Sequence, residues 1–209
     1  MTRLCMFSPK GMELERGWPG RIDGGRVTQL AAQTLQVYFT AGGALREHAV
    51  YALDEVDLRA PVLHPPSIRI FGDGLDFAFG NTAAVFGPED EIPYPEGSSD
   101  LRSVPALVAV VGAGGAVGGW TAGNAWHAPD LPGAKSRDFA LSIGPVLVTP
   151  DEFDGPSWDG RIAHAARNTT LRPGELLVAP VAAGGGVPVA RGVVEARVDG
   201  IGVLRNRVV

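Results

Sequence analysis

Residues 134–153 read AKSRDFALSIGPVLVTPDEF, directly after the turn dipeptide Pro132–Gly133. Two cations and a carboxylate, Lys135, Arg137 and Asp138, stand before an apolar run over 139–149. Gly144–Pro145 sits in the middle of that run. Proline lacks the N–H that a ladder or helix needs and fixes its own φ, so the run reads as two extended pieces joined by a kink. Charges at the entry to a buried strand have two meanings. They converge on the mouth of a pocket, or they form a surface ion-pair cluster worth under about 1 kcal/mol. Spacing alone favours the second.

Upstream, 107–111 is wholly apolar and β-branched at three of its five positions, as in a strand buried on both faces. The glycines that follow (112, 114, 115, 118 and 119) break the apolar stretch too early for a membrane helix, which needs about 20 apolar residues. They match a dinucleotide fingerprint only at Gly112 and Gly114, since the third position falls on Val117. A tight turn between strands is the plain reading. Further strands are expected over 67–71, 176–178, 187–189, 193–198 and 203–209. Towards the amino terminus, Asp23–Gly24 signals a hairpin. Helices are expected over 29–39 and over 44–52. His64–Pro65–Pro66 marks a boundary, because a residue before proline is driven away from helix. The expected organisation is a small amino-terminal lobe over 1–65 and a β-rich unit over 66–209, an α+β arrangement dominated by strands.

Composition agrees. The 209 residues include 29 Gly and 17 Pro, too many for long bundles or solenoids of helices. The hydrophobic fraction of 45% suits a packed globule. Net charge is −5 without a basic run, which argues against nucleic acid and anionic membranes as partners. The single cysteine, Cys5, excludes an internal disulfide and fits a reducing, cytoplasmic setting. The four histidines (His48, His64, His127 and His164) show no metal-ligand spacing. No serine lies in a Gly-x-Ser-x-Gly context. His127, between Trp126 and Pro129 in a loop of small residues, is the histidine best placed for function.

The 134–153 stretch resembles the fumarylacetoacetate hydrolase superfamily, whose members carry Gly-Lys-Ser-x-Asp, then a Gly-Pro kink, then Val-Thr-x-Asp-Glu. Four other pieces agree in order. Phe86–Gly87–Pro88–Glu89–Asp90–Glu91–Ile92–Pro93 is similar to the family's Gly-Pro-x-Asp-x-Ile-x-x-Pro turn. The strand from Leu107, the turn Leu171–Arg172–Pro173–Gly174–Glu175 and the closing Val198–Asp199–Gly200–Ile201–Gly202–Val203–Leu204–Arg205–Asn206 match the others. The resemblance implies a mixed β-sandwich roll, a homodimer, and chemistry on small 2-oxo or enol acids. In the family that chemistry uses a hard cation such as Mg²⁺ held by carboxylates.

The sequence departs from the family where that cation would bind. Val104 and Ala106 fall on the two glutamates of the Asp-Tyr-Glu-x-Glu-Leu motif. Ala125 follows Trp120–Thr121–Ala122–Gly123–Asn124 where the family has an aspartate. The helix bearing the family's His–Glu proton-transfer pair has no counterpart, and the Thr-Gly-Thr-Pro loop falls on Ala179–Pro180–Val181–Ala182. About ten residues are also missing between Trp126 and Lys135. No metal site and no cofactor are therefore expected.

Two readings of function follow. In the first, a metal-independent isomerase, lyase, dehydratase, cyclase or hydrolase acts on a small enolisable or 2-oxo compound. Lys135 would hold an oxyanion, with its ammonium pointing into the roll, and His127 and Asp76 would move protons. Asn124 and Asp138 would bind the substrate by hydrogen bonds, between the walls of Trp120 and Trp126. In the second, the chain is a non-catalytic relative that binds a small ligand or partners an active paralogue. The surviving polar residues tilt the sequence reading towards the first.

Overall fold

Glycine and proline cut the chain into short extended runs, and the backbone of this computed structural model follows them over residues 3–12, 14–43, 45–153 and 155–209. The amino-terminal part forms β1 (Arg3–Pro9), β2 (Trp18–Asp23), β3 (Arg26–Leu30), α1 (Leu35–Thr40), β4 (Glu47–Ala52) and β5 (Val56–Arg59). Next come β6 (Ile68–Phe71), β7 (Phe77–Phe79), β8 (Val85–Phe86), β9 (Glu91–Ile92), β10 (Arg102–Ser103), β11 (Pro105–Val111), β12 (Val117–Asn124) and β13 (Leu141–Val148). The carboxy-terminal part has α2 (Asp159–Ala166), β14 (Leu176–Pro180), β15 (Val187–Pro188), β16 (Gly192–Val198) and β17 (Gly202–Val208). The strand-rich roll is the expected class of fold.

Two expectations near the amino terminus are corrected. The helix read over 29–39 starts only at Leu35, where Thr34 Oγ1 accepts from the Val37 N–H at 3.4 Å and caps it. Residues 26–30 are instead drawn into a ladder with β2 by the Asp23–Gly24–Gly25 turn. The stretch read as a second helix, 44–52, contains β4 paired to β3. Ala44 itself lies outside the described residues.

A 12-stranded sheet carries the order β4-β3-β2-β1-β13-β12-β11-β14-β6-β7, with β5 on β1 and β8 on β13. It is continuous across residue 65, because Arg3 and Leu4 of β1 pair with Val148 and Leu147 of β13. The ladder between β12 and β13 shifts register between Trp120 and Ala122, opposite the proline-bearing stretch where an N–H is missing. Strands β16, β17 and β9 form a separate three-stranded sheet.

Alternation along β11 divides the interior. Ala106, Val108 and Val110 point into one core with Leu4, Ile68 and Ile143. Leu107, Ala109 and Val111 point into another with Trp120, Trp158, Ala196 and Leu204. The smaller sheet and α2 thus cover the outer face of the large one, while the first core fills its inside. Gly123 has no side chain because a Cβ would lie 2.6 Å from Val108 Cγ2.

Candidate functional site

The expected pocket is centred on Val104, Ala106 and Ala125. The structure brings these three residues together. Ala125 N–H donates to the Val104 carbonyl at 3.0 Å, and all three side chains join the inner core with Leu141 and Val178. They are 2%, 0% and 1% exposed. The loop that follows β14 closes over them. Gly186, at φ +90°, lies so close that a Cβ would meet the Ser103 carbonyl and Val104 Cγ2. A hard cation needs six or more oxygens, or several oxygens and water. Methyl and isopropyl groups in a packed core supply none, so these residues do not fit the metal of the family's motif. Among the described residues, no group of three His, Cys, Asp or Glu side chains is placed to hold one elsewhere.

The expected polar residues separate into three places. Asn124 is buried where β12 ends, opposite the start of β11. Its Oδ1 accepts from the Val104 N–H at 2.7 Å and its Nδ2 donates to Ser103 Oγ at 2.9 Å. The amide is consumed in holding the two strands together. Trp126 is buried beside it, with Nε1 donating to Ser142 Oγ at 2.8 Å. Its ring packs with Ile92, Leu101 and Val208, away from the inner core.

Further out lies a charged group. The Lys135 side chain is 75% exposed and pairs with Asp138 at 2.8 Å, three residues on. The expectation that its ammonium points into the roll is therefore corrected. Lys135 sits on a 3₁₀ turn (Gly133–Ser136) at the surface, ahead of β13. His127 is half-buried, bridged through its backbone to Arg102. Arg137 Nη2 lies 3.2 Å from its Nδ1. An arginine only donates, so Nδ1 accepts. The Gly185 backbone close to the ring favours its charged form. Burial first, then the Arg137 charge, hold the imidazole below its ordinary pKa, against the smaller pull of Gly185 and Asp100. His127 is thus a ring biased towards its neutral form, with Nδ1 facing Arg137. Asp76 is elsewhere, exposed in the turn between β6 and β7.

Trp120 belongs to the opposite face of the sheet. Its ring lies 5.1 Å from Trp158 and 5.6 Å from Phe153. These aromatics back a cleft of about 600 Å³ lined by Leu107, Phe153, Trp158, Arg161 and Ala179 among others. A volume of a few hundred cubic ångströms with mainly apolar walls suits a small molecule. Sequence reading missed this site because it joins β11, α2, β14 and β16, which no motif links. One signal was present: Trp158 and Arg161 are three apart at the start of a helix, which puts a ring and a cation on one face. A larger groove of about 970 Å³ on the amino-terminal strands opens to solvent along Glu15, Arg16 and His48.

Solved structures with this architecture exist. The 2-hydroxyhepta-2,4-diene-1,7-dioate isomerase from Mycobacterium marinum is 22% identical with a TM-score of 0.79, over 100% of this chain and 98% of that one. The 5-carboxymethyl-2-hydroxymuconate delta-isomerase from Mycobacterium smegmatis is 21% identical with a TM-score of 0.78, over 99% of each chain. Maleylpyruvate hydrolase from Sphingobium sp. SYK-6, in complex with manganese(II) and pyruvate, is 19% identical with a TM-score of 0.76, over 99% of this chain and 98% of that one. No protein-family model matches the sequence, and no curated protein does. The chain has the fold of these enzymes, as its resemblance to the fumarylacetoacetate hydrolase superfamily implies. No helix among the described residues is long and apolar enough to cross a membrane.

Proposed function

We propose that this chain is a shortened, divergent member of the fumarylacetoacetate hydrolase superfamily that keeps the roll, has given up metal-dependent oxo-acid chemistry, and serves as a non-catalytic binder of a small molecule. One observation carries the reading: the three positions of the family's metal ligands bear apolar side chains packed inside the inner core. The other expected groups support it. Asn124 has both amide atoms engaged and His127 has its Nδ1 held by Arg137, while Lys135 and Asp76 face solvent. Proton transfer needs a group within hydrogen-bond reach of a bound substrate, and none of these is both free and turned into a cavity. By the same resemblance the chain is a homodimer, and its lone buried Cys5 suits a reducing cytoplasm.

The metal-independent enzyme remains the second reading. It is favoured by the gathering of His127, Arg137, Lys135 and Asp138 on one short stretch of surface. Titration calorimetry with Mn²⁺, with pyruvate and with both separates the readings from the family's chemistry. The expected result is no binding below about 1 mM and no turnover of 2-oxo or enol acids. Sub-millimolar Mn²⁺ binding that strengthens pyruvate binding, or turnover lost in Lys135→Met, overturns the proposal.

A further inference from the structure

The cleft behind Trp120 has a feature that packing alone does not require. Arg161, on the first turn of α2, holds its guanidinium 5.2 Å from the Trp158 ring and 5.8 Å from the Phe71 ring. Its Nε is buried with no hydrogen-bond partner. Stacking satisfies the flat faces of a guanidinium and leaves the N–H groups at its edge unanswered. A buried donor left without an acceptor is costly, and arginine's edge has the geometry of a carboxylate. Among the described residues, the other charged side chains lining the cleft are Arg197 and Asp199, both exposed at its rim, so that described lining carries two positive charges and one negative. The remaining walls, Leu107, Phe153, Trp158 and Val181 among them, are apolar.

We infer that this cleft is a binding site for a small planar acid, an aromatic or conjugated carboxylate whose ring lies against Phe153 and Trp158 and whose carboxylate takes the edge of Arg161. The inference rests on the reading of the chain as a ligand binder and gives that reading a place and a ligand class. The site lies on the opposite face of β11 from Val104 and Ala106, so it is independent of the vanished metal position. The carboxylate meets the part of the Arg161 guanidinium that lines the cleft, and cleft and ligand match in size: about 600 Å³ holds one or two fused rings with a short side chain.

The test uses trans-cinnamate as probe and trans-cinnamamide as its uncharged twin, with binding read by calorimetry and by chemical shifts of labelled full-length protein. Cinnamate should bind with shifts at the Trp158 indole, and cinnamamide at least tenfold more weakly. Arg161→Gln should lower cinnamate affinity tenfold or more and abolish its preference over the amide. Val181→Trp, at an exposed position on the rim, should block both probes while leaving the melting temperature near that of the parent. The inference is overturned if cinnamate does not bind, if acid and amide bind alike, if Arg161→Gln binds cinnamate unchanged, or if the shifts map away from Trp158. Those failures differ from failure of the non-catalytic reading, which would appear as Mn²⁺-dependent pyruvate binding or turnover with the cleft's behaviour unaltered.

Discussion

At His127 a single ring reports how firmly its surroundings are set. Burial and the Arg137 guanidinium favour the neutral imidazole, so its pKa in the folded chain lies below the ordinary histidine value. The unfolded chain then binds more protons than the folded one as pH falls through that window, and stability drops with acidification. Protonation also removes the lone pair that accepts from Arg137 and sets two cations side by side. We predict that the midpoint of urea unfolding falls between pH 7 and pH 5, and that His127→Asn flattens this dependence. A parent whose stability is level across that range would show that the ring is not held neutral. Residue chemistry of this kind was only half legible beforehand. The prominence of His127 followed from its loop. That its Nδ1 is held and its charge disfavoured depends on Arg137, ten residues along, and on burial that only the folded chain creates.

Strand β11 shows at the next scale how Val104 and Ala106 are closed into the inner core. Its inner-facing side chains from Ala106 to Val110 continue the row begun by Val104, and the inner core treats all of them alike. A carboxylate placed at one of these positions would lie among aliphatic groups without a cation to balance it. Removing a charge's partner inside a protein costs about 3–5 kcal/mol, and a lone carboxylate at Ala106 belongs to that class. Ala106→Glu is therefore expected to lose about 3–5 kcal/mol in chemical denaturation, with no recovery on adding Mn²⁺. Recovery with Mn²⁺ would mean that a latent ligand set survives nearby. The strand itself was easy to read, because five apolar residues before a glycine turn admit few other structures. The amino-terminal errors have an equally physical origin. Five of the six residues of β4 between Glu47 and Ala52 are polar, small or exposed at the sheet's edge, so no apolar period marks it as a strand. Residues 26–30 owe their strand to the hairpin before them, a tertiary pairing that overrides their local preference.

For the molecule as a whole, the roll leaves apolar side chains uncovered at its two open edges: Phe79 of β7 is 71% exposed, and Val50 of β4 is 55% exposed. Edge strands that present such side chains invite pairing with another chain. The proposed homodimer would hide one or both. Sedimentation at micromolar concentration should give a species near twice the 21.8 kDa chain mass, and a sharp single species at the chain mass would refute it. The global architecture was the most legible level of all, since turn motifs spaced along the chain carry the roll. The cleft with Arg161 was the least legible, because its walls meet only after four separated segments have packed.

The pairing of Arg3 with Val148 closes the large sheet through residues 145 positions apart. On a ribosome adding about 5–20 residues per second, the first strand waits roughly 7–30 s for its neighbour to be made. During that interval β1 to β5 can pair only among themselves, with the Arg3–Leu4 end of β1 lacking its β13 partner and the inner face of Leu4 and Met6 lacking the β11 and β13 side chains that complete its cover. The amino-terminal third is thus the nascent chain's vulnerable stretch, and a chaperone that shields extended apolar segments would find its binding window there rather than in the finished roll.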